Sequence, residues 1–195
     1  MKKHKFPLLM VLGICLILIS VSLLLFFQIR LHLGVQYSQR ILLQMNEILP
    51  EKTQGMPDTY PNSAMPILEL DGVDYVATVE VPSFGITLPV ADRWDNNALY
   101  RSPARLFGSA YEGILIIGGV DDSKQFGFCD KIEQGAIITV TDMTGAQYTY
   151  TVSKIDRAKH AETQWLRSAD CDLTLFCHDV YSMEYIAVRC VFALK

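Results

Sequence analysis

The chain has 195 residues, with 17 Lys or Arg and 21 Asp or Glu, which gives a formal net charge of −4 at pH 7. This length suits one domain of ordinary size with attached segments. Four of the basic residues and none of the acidic ones lie within the first 30 positions, so residues 31–195 carry 13 bases, 21 acids and a net charge of −8. This acidic balance argues against nucleic-acid binding.

The chain begins with an apolar segment. Residues 6–27 read FPLLMVLGICLILISVSLLLFF and contain no charged side chain. At a rise of about 1.5 Å per residue, a helix of this length crosses a hydrocarbon core of about 30 Å. A cleaved signal peptide would have a shorter apolar core followed by small residues, whereas bulky residues follow here. The sequence therefore predicts an uncleaved transmembrane anchor over residues 6–28.

Three lysines precede this anchor, at Lys2, Lys3 and Lys5. The positive-inside rule then places residues 1–5 in the cytoplasm and the rest of the chain outside the cell membrane, as a single-pass protein.

The segments after the anchor differ in composition. Residues 31–49 have apolar side chains at helical spacing, so we expect a stalk helix over residues 29–49. The next stretch contains four prolines between positions 50 and 66 and few apolar residues, which predicts an extended linker over residues 50–64. The folded domain is then expected over residues 65–195.

Strand patterns dominate that domain, with no repeat and no alternation of strands and helices. The segment at 113–119 is a continuous apolar run, which is typical of a strand covered on both faces. Helical pieces are predicted to be short, at 94–100 and at 161–166, with a turn around 126–132. The piece at 94–100 is expected to pack an aromatic side chain against the sheet. These patterns predict a small mostly-β barrel or sandwich.

The cysteines do not show metal-binding spacing. Cys15 lies within the anchor, and the other four lie in the folded domain. Two interpretations stay open for these four: one disulfide formed outside the cell, with a pairing that the sequence cannot assign, or free buried thiols that act as small hydrophobic groups. The four are Cys129, Cys171, Cys177 and Cys190.

A C-terminal stretch, DLTLFCHDVYSMEYIAVRC at 172–190, raises the question of catalysis. It predicts a strand, a turn and a second strand, with Cys177 and His178 side by side at the end of the first strand. Cysteine and histidine are the residue types of a thiol nucleophile and its base.

Several segments occur in a fixed order, namely LELDGVDYVATVEVPSFGITLPV, ALYRSPARLFGSA, LIIGG, QFGFCDKIEQGAIITVTD, QYTYTV, DLTLF and IAVRC. Together they resemble the sortases, the membrane-anchored cysteine transpeptidases of Gram-positive bacteria. The resemblance implies a closed β-barrel of about eight strands. It also implies attack of a cysteine on an LPxTG-like sorting signal and transfer to an amine of a cell-wall precursor.

The same resemblance implies three catalytic positions, and this sequence departs at all of them. In the family a His follows the glycine at the end of the fourth strand, a Cys ends the seventh strand and an Arg begins the eighth. Here these positions hold Gly119, His178 and Tyr185. A tyrosine hydroxyl donates one hydrogen bond but lacks the charged, bidentate fork of arginine.

Strand alternation argues against a rescue by the neighbouring cysteine. In a strand, Cys177 shares a face with the leucines at 173 and 175, whereas His178 lies on the opposite face. We therefore expect Cys177 to point into the core, although it remains the fallback nucleophile. Arg189 is the fallback cation, but it lies about 13 Å along the strand from Tyr185 and is expected to face solvent.

Metal and cofactor chemistry is not indicated. The polar side chains that could be grouped into a metal site fit no recognised spacing, and we expect solvated loops there instead. They are Asp121, Asp122, His160, His178 and Asp179.

Two functional hypotheses follow. The first is a catalytically inactive sortase homologue, a pseudoenzyme with a binding, accessory or structural role in the envelope. Its candidate partners are the membrane, a sorting-signal-like peptide, a cell-wall precursor or an active sortase. The alternative is an active transpeptidase that uses Cys177.

Overall fold

The computed structural model describes residues 6–56, 64–167, 170–179 and 181–193. Its first element is a single helix, α1, which spans Phe6–Ile48 and covers both the expected anchor and nearly all of the expected stalk without a break. Within the described residues, it is the one helix long and apolar enough to cross a membrane. The expected cytoplasmic residues 1–5 lie outside the described part of the chain.

The rest of the chain is mainly β-structure. A short helix, α2, spans Thr163–Leu166. The strands are β1 (Thr53–Gln54), β2 (Leu68–Leu70), β3 (Val73–Val81), β4 (Ile86–Ala91), β5 (Ala104–Ser109), β6 (Ile114–Gly118), β7 (Ile137–Asp142), β8 (Ala146–Ala158), β9 (Leu173–Asp179) and β10 (Glu184–Phe192).

Eight of these strands close into a barrel, in the order β3, β4, β5, β6, β9, β10, β8, β7 and back to β3. Neighbouring strands are mostly antiparallel, but β6 and β9 run parallel, and β4 meets β5 in parallel through the pair of Ala91 and Ala104. The expected barrel of about eight strands is confirmed. Closure leaves no free edge on the barrel itself, and β1 and β2 pair with β8 and β3 as additional strands.

The barrel interior is packed with side chains from all around the ring. Phe126 and Phe128, from the segment between β6 and β7, are buried in it with rings 5.4 Å apart in an edge-on arrangement. The strand residues that contribute to this core include Val79, Leu88, Ile117, Val140, Tyr150, Leu175 and Val188.

The second half of α1 lies on the barrel instead of standing away from it as a stalk. Ile41 and Met45 have no exposed surface and pack with Tyr75 of β3. Arg40 forms an ion pair with Asp71 in the turn between β2 and β3. The helix and the barrel therefore share a small core of their own.

The expected linker is partly built into the sheet. Its residues 53 and 54 form β1, which pairs in parallel with Ala146 and Gln147 of β8. Residues 57–63 of the linker lie outside the described part of the chain.

Of the short pieces expected, the last is a helix, α2, and the turn expected around 126–132 falls among the successive turns formed by residues 123–131. Residues 96–101 also form successive turns, where a helical piece was expected. Backbone hydrogen bonds within these turns join residues three or four positions apart, such as those from the Ala98 and Leu99 amides to the Asp95 carbonyl.

Candidate functional site

Strand pairing brings the three family positions to one end of the barrel. Gly118 of β6 lies beside Phe176 of β9, and the Gly119 amide donates a hydrogen bond of 3.0 Å to the Phe176 carbonyl. On the other side of β9, His178 is paired with Tyr185 of β10. The positions that were related only by sequence order are therefore neighbours in space.

His178 and Tyr185 form the accessible part of this site. Both side chains are half-buried, and their ring centroids lie 4.7 Å apart with an interplanar angle of 62°. Each ring shields one side of the other, as in edge-to-face aromatic pairs.

Next to this pair, an acidic residue closes the β9–β10 turn. Asp179 accepts hydrogen bonds from the Ser182 hydroxyl and the Tyr181 amide. These bonds, with the Arg157 guanidinium 4.0 Å away, keep the pKa of Asp179 below its ordinary value. Asp179 is therefore an anion engaged by its own turn.

The position of Gly119 is closed to any side chain. A Cβ built there would lie 2.8 Å from Gln125 Oε1 and 2.8 Å from the Phe126 ring. Gln125 is fixed in that place, because its Oε1 accepts from the Val120 amide at 2.7 Å and its Nε2 donates to the Leu99 carbonyl at 2.8 Å. The volume where the family's histidine is expected is thus filled from the loop after β6.

Cys177 lies on the inner side of β9. Its side chain is 1 % exposed, packs in the barrel core with Leu173 and Leu175, and donates a hydrogen bond to the Phe126 carbonyl at 3.6 Å. His178, one residue on, lies on the outer face. The alternation expected from the sequence is the arrangement found in β9.

All four cysteines of the barrel are buried, and none of them forms a disulfide with another. Burial, together with a hydrogen bond to Cys177, raises the pKa of the Cys129 thiol well above its ordinary value. Burial likewise raises the pKa of Cys190. These two groups are protonated thiols at neutral pH, which makes them poor nucleophiles.

Arg189 does not face solvent, and that expectation was wrong. It lies on the outer face of β10, but α2 covers it, and the side chain is 3 % exposed. Its guanidinium donates to the Leu166 carbonyl at 2.7 Å and to Thr174 Oγ1 at 3.1 Å, and lies over the Trp165 ring at 5.0 Å. The sequence shows a charged residue at an outward position, but it does not show that a later helix folds over it.

Asp156 of β8 completes the surroundings of Arg189, at 3.3 Å from its Nε. Partial burial raises the pKa of Asp156, but hydrogen bonds from Lys154 and Arg189 outweigh this and hold it below the ordinary value. The guanidinium is thus occupied by its bonds to α2, Thr174 and Asp156.

An aromatic side chain covers the outer surface between β6 and β9. The Trp94 ring stacks on Phe176 with centroids 5.5 Å apart and planes within 11°. A Cβ on Gly118 would overlap both rings, so the glycine is what allows Trp94 to lie there. The expected packing of an aromatic side chain from residues 94–100 is present. Gln125, Phe126 and Trp94 are contributors to the site that motif reasoning alone missed.

Among the described residues, no group of three or more His, Cys, Asp or Glu side chains could hold a metal ion. The polar residues considered from the sequence are dispersed: Asp179 is held in its turn, and Asp122 Oδ1 accepts from the Lys124 amide.

Comparison with known families decides the relationship. A family model described as the sortase domain matches residues 79–193, which is more than half of the chain. The chain belongs to the sortase family. Comparison with curated protein sequences returned no match.

Solved sortase structures share the fold at low sequence identity. Sortase A from Corynebacterium diphtheriae is 16% identical with a TM-score of 0.56, and the match covers 85% of this chain and 83% of that one. Sortase C1 from Streptococcus agalactiae is 22% identical with a TM-score of 0.55, covering 65% and 72%. A sortase D5 transpeptidase from Clostridium perfringens is 18% identical with a TM-score of 0.53, covering 62% and 80%.

Proposed function

We propose that this sortase-family protein is a non-catalytic homologue, anchored in the cell membrane by α1 with its barrel outside the cell. Its role is then to bind an envelope ligand or to display the barrel at the surface. The observation that carries the proposal is the placement of Cys177. This residue is 1 % exposed, and its thiol donates a hydrogen bond to a backbone carbonyl inside the core.

The chemistry of transpeptidation supports this proposal by what it requires. A thiolate must attack the peptide carbonyl, an acid must protonate the leaving amine, and a donor must stabilise the oxyanion. Cys177 lies on the opposite face of β9 from His178, which therefore cannot accept its proton. At the other two positions, Gly119 has no side chain and Tyr185 has no positive charge.

A histidine in the nucleophile position does not replace the cysteine. An acyl-imidazole formed on His178 would hydrolyse readily, so the acyl group would be lost to water instead of reaching an amine. The half-buried rings of His178 and Tyr185 are suited to contacting a ligand, through stacking and one hydrogen bond from each.

The charge of the N-terminus supports the proposed orientation. Lys2, Lys3 and Lys5 precede the apolar segment, and the positive-inside rule places them in the cytoplasm. The barrel, including the sheet face that carries His178, is then outside the cell, where sorting-signal peptides, cell-wall precursors and active sortases are the candidate partners.

Mass spectrometry tests the proposed loss of catalysis. The full chain in detergent is mixed with an LPxTG-type peptide and an amine acceptor, beside an active sortase as a positive control. We expect no acyl adduct and no amine-linked product. A thioester on Cys177, or a product that disappears in Cys177→Ala, would instead support the alternative of an active transpeptidase.

Calorimetric titration of the same peptides distinguishes the two non-catalytic roles. Measurable binding that weakens in the double variant His178→Ala, Tyr185→Ala supports a ligand-binding role at this site. The absence of binding for all peptides favours a structural display role.

A further inference from the structure

The helix that carries the apolar segment continues without a break onto the barrel. Arg30 is the first charged residue after residues 6–27 and lies three residues beyond them, about 5 Å along the axis. The headgroup layer on each side of a bilayer is about 5–7 Å thick, and an ordinary tilt of about 20° changes this estimate little. When α1 spans a bilayer, Arg30 therefore lies among the headgroups.

Residues 92–102, in the loop between β4 and β5, are held at the same height above the membrane as Arg30. The Arg30 guanidinium lies over the Tyr100 ring, 4.1 Å from its centroid, and donates to the Asn97 carbonyl at 3.5 Å. A Cβ on Gly34 would overlap the Tyr100 carbonyl, so helix and loop are in backbone contact there. The 92–102 loop cannot move away from the membrane surface without breaking these contacts.

The loop has two arginines and two aspartates and so no formal net charge of its own, but Arg30 and Arg105, which bond to it, make this surface cationic on a barrel that is otherwise acidic. Arg93 has 86 % of its side chain exposed, and Arg101 is exposed as well. Of the loop's two carboxylates, Asp92 is 9 % exposed and is paired with Arg105 and, at 3.9 Å, with Arg93, which leaves Asp95 as the exposed one. The net charge of residues 31–195 is −8, so an anionic surface would repel the barrel as a whole and attract this loop.

We propose that the 92–102 loop binds anionic phospholipid headgroups of the outer leaflet, with Arg93 and Arg101 as the residues that contact headgroup phosphate. Basic residues beside a membrane-spanning helix are attracted to anionic lipid, and tyrosine and tryptophan are favoured at the same depth. This inference rests on the proposed membrane anchor. Because Trp94 belongs to the loop and stacks on Phe176, the candidate site then opens close to the lipid surface.

Fluorescence quenching in nanodiscs tests the inference on the full chain. Both native tryptophans are replaced by Phe, and one new tryptophan is placed at Asn97 in the loop or at Glu51. Both positions are exposed, and Glu51 follows the end of α1, about 30 Å along the helix from Arg30. The nanodiscs contain phosphatidylcholine alone or with phosphatidylglycerol, and a headgroup-attached nitroxide lipid serves as quencher.

We expect quenching of the Asn97→Trp emission and none of the Glu51→Trp emission. The quenching should be stronger with phosphatidylglycerol, and the double charge reversal Arg93→Glu, Arg101→Glu should abolish that difference. If the chain enters nanodiscs but Asn97→Trp is unquenched, the loop proposal is wrong and the anchor stands. Equal quenching in both lipids overturns recognition of anionic headgroups. Failure of the chain to co-purify with nanodiscs overturns the anchor, and the inference with it.

Discussion

Gly119 and Phe126 are in contact in a way that leaves no room for a histidine. A Cβ on Gly119 would lie 2.8 Å from Cγ of the Phe126 ring, which has no exposed surface. Any side chain at this position would therefore have to displace part of the loop after β6.

Placing at this position the histidine that the family resemblance implies should for this reason destabilise the barrel. Overpacking a dense core costs about 1–3 kcal/mol, so Gly119→His should lower the free energy of unfolding by that amount. Chemical denaturation followed by circular dichroism measures this. A control substitution at a glycine with open space around it, such as Gly72, is unsuitable, because at a φ of +74° any side chain would strain the backbone. Gly119→Ala adds only the Cβ to the same contact, so it should lower the free energy of unfolding by less than Gly119→His does. A Gly119→His variant as stable as the wild type would contradict the packing argument.

The contacts of Arg189 predict a large structural effect. Its guanidinium donates hydrogen bonds to the Leu166 carbonyl and to Thr174 beneath α2. Arg189→Ala therefore leaves these acceptors and Asp156 without their donor. Removing one partner of a buried charged network costs about 3–5 kcal/mol. Urea unfolding of the variant measures this loss.

The matched control is Arg93→Ala, which removes an arginine of the same size from an exposed position. It should change stability by no more than about 0.5 kcal/mol. Equal, small effects of the two substitutions would show that the α2 segment does not depend on Arg189.

The carboxylate beside Arg189 predicts a pH dependence of stability. Hydrogen bonds from Lys154 and Arg189 keep the pKa of Asp156 below its ordinary value, despite a raising effect of partial burial. A group whose pKa is lowered on folding contributes stability above its unfolded pKa, near 3.9, and that contribution is lost as pH falls through the folded value.

Urea midpoints measured from pH 7 down to pH 3 should therefore decline less steeply in Asp156→Asn than in the wild type. Other carboxylates, Asp179 among them, contribute to the decline in both proteins. The difference between the two curves isolates Asp156, and identical slopes would contradict its assignment as a paired anion.

The β-barrel could be predicted from the sequence because it follows from local patterns. Alternation in β9 placed Cys177 and His178 on opposite faces, and the order of segments gave the family and so the closed sheet. A period of two is a property of each strand alone and survives any tertiary arrangement.

Long-range packing could not be predicted in the same way. Nothing in the local sequence around Arg189 shows that α2 covers it, since the outward face of a barrel strand is solvated by default. The filling of the Gly119 position by Gln125 also depends on a loop conformation, fixed by its bonds to Val120 and Leu99. Both features arise from segments that fold back over the sheet.

Burial of the barrel thiols predicts slow chemical modification. The side chains of Cys129, Cys171, Cys177 and Cys190 are between 0 % and 8 % exposed. A thiol-specific reagent should therefore react with them only when the barrel opens, and a denaturant should expose all four at once. Mass spectrometry of alkylated peptides from the Cys15→Ala chain measures the extent. Rapid labelling of Cys177 alone in the native protein would contradict its core placement and favour the transpeptidase alternative.

Removing the Trp94 ring should change both the stability of the barrel and the shape of the candidate site. The stacking of its ring on Phe176 contributes about 0.5–1.5 kcal/mol beyond the area it buries, so Trp94→Ala should destabilise the barrel by at least about that amount. The same substitution exposes Phe176 and the surface above Gly118, which would enlarge the site beside His178. If the protein binds peptides there, Trp94→Ala should alter the affinity in calorimetric titration. Trp94→Phe, which keeps an aromatic ring for stacking, should stay close to the wild type. A peptide that binds all three proteins with the same affinity would show that the candidate site does not extend to the surface covered by Trp94.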